Sequence, residues 1–209
     1  MLKRSIDLSL SLLMLIITLP ISIVIAATIK LEDGGEIFFC QKRWGLAGNM
    51  FQVLKFRTMQ MNSGSEMARE RDSRVTRLGR FLRSMGLDEL PQLLNILKGE
   101  MSFVGPRPLA IDEKLYGGHQ ARYEDLPGFE KRLSVRPGLT SLATIYIPKD
   151  SDPRRKFKYD LLYVRKASLG LDLKLIGLSY LISLSGGWEH RRSKFPFLPS
   201  SNKNALRRF

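Results

Sequence analysis

Residues 8–29 contain no charged side chain and are mostly Leu, Ile, Val and Ala. As a helix rising about 1.5 Å per residue, such a run covers a hydrocarbon core of roughly 30 Å. Pro20 lies inside it, removes a backbone donor and predicts a bend, with Thr18 and Ser22 placed to help satisfy the freed carbonyls. Lys3 and Arg4 precede the run, and Lys30, Lys42 and Arg43 follow it. A straight crossing would strand Lys3 and Arg4 on the non-cytoplasmic side, whereas a bent helix that enters and returns keeps both flanks cytoplasmic. A single span competes with this reading. So does a signal peptide cut near Ala26 and Ala27, although the apolar run exceeds the roughly 7–15 residues usual there.

Beyond this segment the pattern becomes that of a folded domain. Ile37, Phe38 and Phe39, a turn through Gly45 and Gly48, and then Phe51 to Met59 predict a β-hairpin. Period two puts Phe51, Val53, Lys55 and Arg57 on one face of its second strand, an apolar base ending in two cations. Gln60 to Arg74 is polar and highly charged and reads as a mobile loop. Two short helices follow, a basic one around Arg77 to Met85 and another from Asp88 to Leu97, stopped by Gly99. Residues 154–185 hold two amphipathic candidates. The first mixes Arg154, Arg155, Lys156 and Lys158 with Phe157, Tyr159 and Tyr163; the second is Leu-rich from Leu169 to Leu184, with Trp188 beyond it. Basic and aromatic residues beside an apolar stripe suit a membrane interface, and core packing explains the Leu-rich helix equally well. The basic tail from Arg191 to Phe209 reads as disordered, and no internal repeat is evident.

Composition narrows the chemistry. At 209 residues, 44% hydrophobic and 26% charged, the chain can fold one domain with a core. Lys plus Arg exceed Asp plus Glu by 34 to 20, giving a formal charge of +14 and a preference for polyanionic partners. A lone Cys40 excludes an internal disulfide framework and a thiolate zinc site, and two distant histidines, His119 and His190, leave no material for a histidine triad or multi-histidine metal centre. Catalysis must rest on carboxylates and cations.

Three motifs supply them. The block from Asp88 to Pro108 opens with Asp88-Glu89-Leu90-Pro91, which suits a helix start with Asp88 as N-cap. The same position keeps a carboxylate ionised and nucleophilic, so cap and nucleophile are both open readings. Arg77, Arg80 and Arg83 precede it, facing either negative substrate or solvent. In Gly105-Pro106-Arg107-Pro108 and Val135-Arg136-Pro137-Gly138-Leu139-Thr140 a following proline pre-sets each arginine, for gripping phosphate or for stapling a loop.

Lys55-Phe56-Arg57-Thr58-Met59, the Asp88–Pro108 block and Arg136-Pro137-Gly138-Leu139-Thr140 together closely resemble the bacterial small monotopic phosphoglycosyl transferases, in order, to about residue 185. The resemblance implies an α+β, helix-rich single domain with an N-terminal re-entrant membrane helix broken near Pro20, a small β-hairpin and interfacial amphipathic helices. It divides the chain into a membrane helix (1–30), a catalytic domain (31–188) and the tail (189–209). It implies transfer of a sugar 1-phosphate from a UDP-sugar to a polyprenol phosphate, undecaprenyl phosphate being the expected one. UMP is released, a covalent Asp88 intermediate forms, and Mg²⁺ is the cofactor. Asp88 and Glu89 are the implied catalytic dyad, with Glu89 as metal ligand, and Lys55, Arg107, Arg136 and Asp160 are the implied substrate-binding residues, which Arg83 joins from the basic run before the dyad. Asp160 has a plainer reading as an ion-pair partner of Lys156 one helical turn away. The expected place is the cytoplasmic face of the bacterial inner membrane, among membrane lipids and without nucleic acid.

The run Ser141-Leu142-Ala143-Thr144-Ile145-Tyr146 departs from the Gly, aromatic or Leu, Ala, Gln and Val that many members carry there, which puts substrate contacts in this region in doubt. Without the large N-terminal membrane domain of longer relatives, the chain is expected to be the minimal catalytic unit. A membrane-tethered nucleic-acid binder or a scaffold would also explain the charge and the apolar helix, though neither needs the Asp88–Pro108 block.

Overall fold

A computed structural model describes residues 2–60, 72–111, 122–148 and 151–188. The expected tail, and residues 61–71 of the expected polar loop, lie outside them.

The apolar run folds as helix α1 (Leu2–Asp33), 32 residues that continue through Pro20. The Thr18 hydroxyl donates to the Met14 carbonyl at 2.7 Å, not to the Ile16 carbonyl that Pro20 frees by lacking an N–H. Leu12, Leu13, Ile16, Ile17, Leu19, Ile21, Ile23 and Val24 are exposed along its middle. Its two ends are docked. At the start, Lys3 Nζ reaches Asp172 at 2.5 Å and the Val104 carbonyl at 3.1 Å. Arg4 donates to the carbonyls of Ile96 and Leu97 at 2.7 and 3.1 Å, and buried Asp7 accepts from Ser102 Oγ and Phe103 N, both at 3.1 Å. At the far end Ile25 and Ile29 pack with Phe56 and Leu82.

The hairpin is present, with firmer bounds than its pattern suggested: β1 (Phe38–Trp44) pairs antiparallel with β2 (Met50–Phe56), from Phe38 opposite Phe56 to Trp44 opposite Met50. A single 3₁₀ turn at Leu46–Gly48 connects them. Phe51 and Val53 enter the main core, and Lys55 continues their face. Phe56 points the other way and is buried under the far end of α1. Helix α2 (Arg77–Met85) takes Thr76 as N-cap, its hydroxyl accepting from Gly79 N at 2.9 Å, and ends at Gly86 in the left-handed region, φ 72°. It lies so close to β2's exit that a Cβ on Gly79 would collide with the Thr58 carbonyl.

The expected Asp88–Leu97 helix is two pieces. A 3₁₀ turn, Leu87–Glu89, is followed by α3 (Gln92–Lys98). Pro91, not Asp88, stands at the cap position of α3. The cause is local: left-handed Gly86 turns the chain sharply after α2, and Pro91 has no N–H with which to continue an α-helical ladder through the dyad.

Strands β3 (Ser102–Val104) and β4 (Gly138–Thr140), with α4 (Phe129–Arg132) between them in sequence, form a second, parallel ladder that the sequence pattern did not disclose. Ser102 pairs with Gly138 and Val104 with Thr140, so the two arginine-proline motifs run side by side. Helices α5 (Leu142–Tyr146), α6 (Pro153–Lys166) and α7 (Leu169–Leu184) complete the domain. The departing segment is α5, capped by Ser141, with Leu142, Ala143, Ile145 and Tyr146 buried. Its unusual residues build core. Helix α6 also turns its aromatic face inward: Phe157, Tyr159 and Tyr163 are buried. Helix α7 is apolar nearly all round. It buries Leu175 and Ile182 and leaves Leu169, Leu173, Tyr180, Leu181 and Leu184 exposed.

Candidate active site

The Asp88–Glu89 turn sits where α2, β2 and α3 converge. Glu89 Oε1 accepts a very short hydrogen bond from Lys55 Nζ, brought there by the alternation of β2. The two side chains are 19% and 27% exposed, so the pair is partly desolvated yet reachable by a ligand. Arg83, on the last turn of α2, donates from Nε to Thr58 Oγ1 at 2.8 Å, which holds it beside Asp88. Arg107 is exposed between buried Pro106 and Pro108, on the loop leaving β3. The three cations act on the dyad from three separate elements, Lys55 by direct contact and Arg83 and Arg107 through their charge.

Their fields treat the two carboxylates differently. Burial pushes Asp88 up; Lys55 opposes it, Glu89's charge adds to the rise, Arg83 opposes more weakly, and the balance stays above the ordinary value. Burial would raise Glu89 as well. There the charges of Lys55 and Arg107, the Lys55 hydrogen bond and the Gln92 amide outweigh it and hold the group below its ordinary range. Glu89 is therefore the fixed anion of the pair and Asp88 the one whose charge is easily moved.

Among the described residues no group of three or more His, Cys, Asp or Glu converges. Two adjacent carboxylates, one tied to a lysine, cannot make a zinc or calcium cage. They do fit Mg²⁺, which commonly takes one or two protein carboxylates and completes its shell with water and phosphate oxygens.

The remaining sequence candidates lie further out. Arg136 donates from Nε to the Gly99 carbonyl at 2.8 Å, next to the Ile96 and Leu97 carbonyls that Arg4 holds. Two arginines thus neutralise the end of α3 whose start follows the dyad. Arg80 donates to the Val75 carbonyl at 3.0 Å, and Arg77 is exposed. Asp160 is not paired with Lys156 in the way its helical spacing suggested. It is buried, and its Oδ2 accepts from Arg132 Nε and Nη2 at 3.0 and 2.8 Å. Sequence reasoning missed Arg132, which looks like one more surface charge in Glu130-Lys131-Arg132. It also missed Gln92, whose place three residues after Glu89 would have put it on the same side of a helical turn.

Known proteins resemble the chain over this region. The family model described as "Bacterial sugar transferase" matches residues 1–186. An "Undecaprenyl-phosphate glucose phosphotransferase" of Komagataeibacter xylinus is 41% identical over 187 residues, covering 85% of this chain and 35% of that protein. A "UDP-glucose:undecaprenyl-phosphate glucose-1-phosphate transferase" of Klebsiella pneumoniae is 41% identical over 186 residues, covering 85% and 39%. The chain thus spans little more than a third of the length of these two relatives. It spans 96% of "Exopolysaccharide production protein PSS" of Rhizobium leguminosarum bv. phaseoli, at 37% identity over 196 residues and 89% of its own length. With the dyad, the Lys55 strand and both arginine-proline loops inside the matched region, the chain belongs to the bacterial sugar transferase family.

Proposed function

We propose that the chain transfers a sugar 1-phosphate from a UDP-sugar to a polyprenol phosphate at the cytoplasmic face of a bacterial inner membrane. The observation that carries this reading is a carboxylate dyad ringed by Lys55, Arg83 and Arg107, on the domain that also holds both ends of an exposed apolar helix. An Asp88 oxygen attacks the sugar-bearing phosphorus, the bond to the bridging oxygen breaks, and UMP departs with that electron pair. A phosphate oxygen of the lipid then attacks the same phosphorus and releases Asp88, leaving a polyprenyl diphosphosugar. Lys55 and Arg107 offset the charge that builds on the phosphates, a task suited to preorganised cations in a partly desolvated site. Mg²⁺ held through Glu89 would add further neutralisation of the leaving phosphate. Arg136 either reaches the substrate with its remaining donors or acts only on the end of α3.

The proposed membrane arrangement rests on α1. A spanning helix separates its ends by roughly 30 Å of hydrocarbon, and here Asp7 and Ile25 both pack on one domain. That favours a helix that dips into one leaflet, with the exposed face of α7 lying in the interface. UDP-glucose is the first donor to test, because two relatives are named for glucose transfer. Detergent-solubilised protein with UDP-glucose, other UDP-sugars, Mg²⁺ and undecaprenyl phosphate should release UMP. No release from any donor, together with salt-sensitive DNA or RNA binding, would favour the nucleic-acid reading instead.

A further inference from the structure

We infer that Arg132 and Asp160 are positioning residues that hold the backbone beneath Arg107, so that its exposed guanidinium stands at the dyad; this rests on the sugar-phosphate transfer proposed above. The loop Gly105-Pro106-Arg107-Pro108 has two residues without an N–H, so it is fixed chiefly through its carbonyls. Three successive carbonyls are each held from a different element. Pro106 O accepts from Gly138 N at 2.9 Å, Arg107 O accepts a very short bond from Arg132 Nη2, and Pro108 O accepts from Arg43 Nη1 at 2.6 Å.

Of the two side chains among these anchors, Arg43 is half-buried and Arg132 is buried, at 2% exposure. It lies with its guanidinium 5.9 Å from the Phe157 ring centroid and is neutralised by Asp160 on α6, itself 3% exposed. An acid so enclosed cannot touch a sugar nucleotide in the site. It acts on the loop at the Arg107 backbone, through Arg132 to the Arg107 carbonyl and by its own interaction with the Arg107 backbone and charge. A buried ion pair contributes little net stability compared with well-packed apolar residues of the same size, so its presence here fits a role in fixing geometry.

Removing one charge alone strands the other, and Asp160→Asn or Arg132→Lys can fail to fold for that reason. The informative variant is therefore the double replacement Arg132→Met/Asp160→Leu, which removes both charges and keeps the volume. In full-length solubilised protein it should unfold near the wild-type temperature and exchange the amides of Val104, Gly105, Arg107 and Leu109 faster, with the β1–β2 hairpin unchanged. Its kcat/KM for UMP release should fall about 10- to 100-fold, the usual cost of losing a group that orients a contacting residue. In an Arg107→Ala background the same double replacement should cost less than about twofold, since coupled residues are not additive. An equal loss in both backgrounds, or unchanged exchange at those amides, overturns the inference. If wild-type protein releases no UMP from any UDP-sugar, the transfer reading fails. The exchange measurement still decides whether the pair holds the loop.

Discussion

At the scale of single residues, the dyad is an asymmetric pair made by its surroundings. Lys55 bonds Glu89 directly and acts on Asp88 only through its field, so Glu89 stays ionised while burial leaves Asp88 raised. In the transfer proposed above, the attacking form of Asp88 is the anion. The single-turnover rate of UMP release should therefore rise with pH as Asp88 loses its proton, along a limb lying above the ordinary aspartate value. Because Lys55 pulls Asp88 down, Lys55→Met should move that limb to higher pH as well as lower the plateau; a limb unmoved by the substitution would separate Asp88 from the observed ionisation. Asp88, Glu89, Lys55 and Arg107 were legible in the sequence, Lys55 by the alternation of its strand, Arg107 by its flanking prolines, the dyad by its place at a turn start, and all four by the family resemblance. Arg132 was not, because its partner Asp160 lies 28 residues away and nothing local distinguishes a buried arginine from a solvated one.

At the scale of elements, the two arginine-proline motifs work as one unit because β3 and β4 pair in parallel. Gly105 and Gly138 allow that approach: a Cβ on Gly105 would fall inside the Arg136 carbonyl oxygen, and one on Gly138 would meet Gly105 N. Backbone cannot step aside as a side chain can. Gly105→Ala should cost about 3 kcal/mol, the upper end for overpacking, and lower the melting temperature by roughly 6–12 °C. Gly177→Ala is the contrast, since its Cβ on α7 meets nothing within 4 Å and should add about 0.5–1 kcal/mol. Thermal unfolding of the two variants checks both signs. The hairpin was readable from its period and turn glycines, and α2 as a short basic helix over the same residues. The β3–β4 ladder was not, since its strands are three residues each and lie far apart in the chain. The split of the dyad helix was hidden by a sequence in which Asp88, Pro91 and Gly99 suit a single helix equally well.

For the whole molecule, the same cations that made the chain read as polyanion-binding are in part internal fasteners. Lys3, Arg4, Arg43, Arg132 and Arg136 each donate to a backbone carbonyl or a buried acid. The flanking charges of α1 looked like topology signals, and Lys3 and Arg4 instead tie the helix start to β3, α3 and α7. Only the folded chain shows that both helix ends reach one domain. Cysteines introduced at Leu2 and at Leu31, in a Cys40→Ser background, should both resist a membrane-impermeant thiol reagent added to intact cells. Labelling at position 2 alone would establish a crossing. Arg4→Ala should loosen the end of α3 and lower activity without changing which side position 2 occupies.

The account stands most directly on the chemistry of Asp88, and intact-protein mass reads it. With UDP-sugar and Mg²⁺ but no lipid acceptor, the protein should release about one UMP per active site, the burst expected of a covalent intermediate. Its mass should rise by one sugar phosphate, on a peptide containing Asp88, and Asp88→Asn should remain folded and stay unmodified. An unmodified wild-type protein that releases UMP only when polyprenol phosphate is present, with turnover retained in Asp88→Asn, would show direct attack by the lipid and contradict the account.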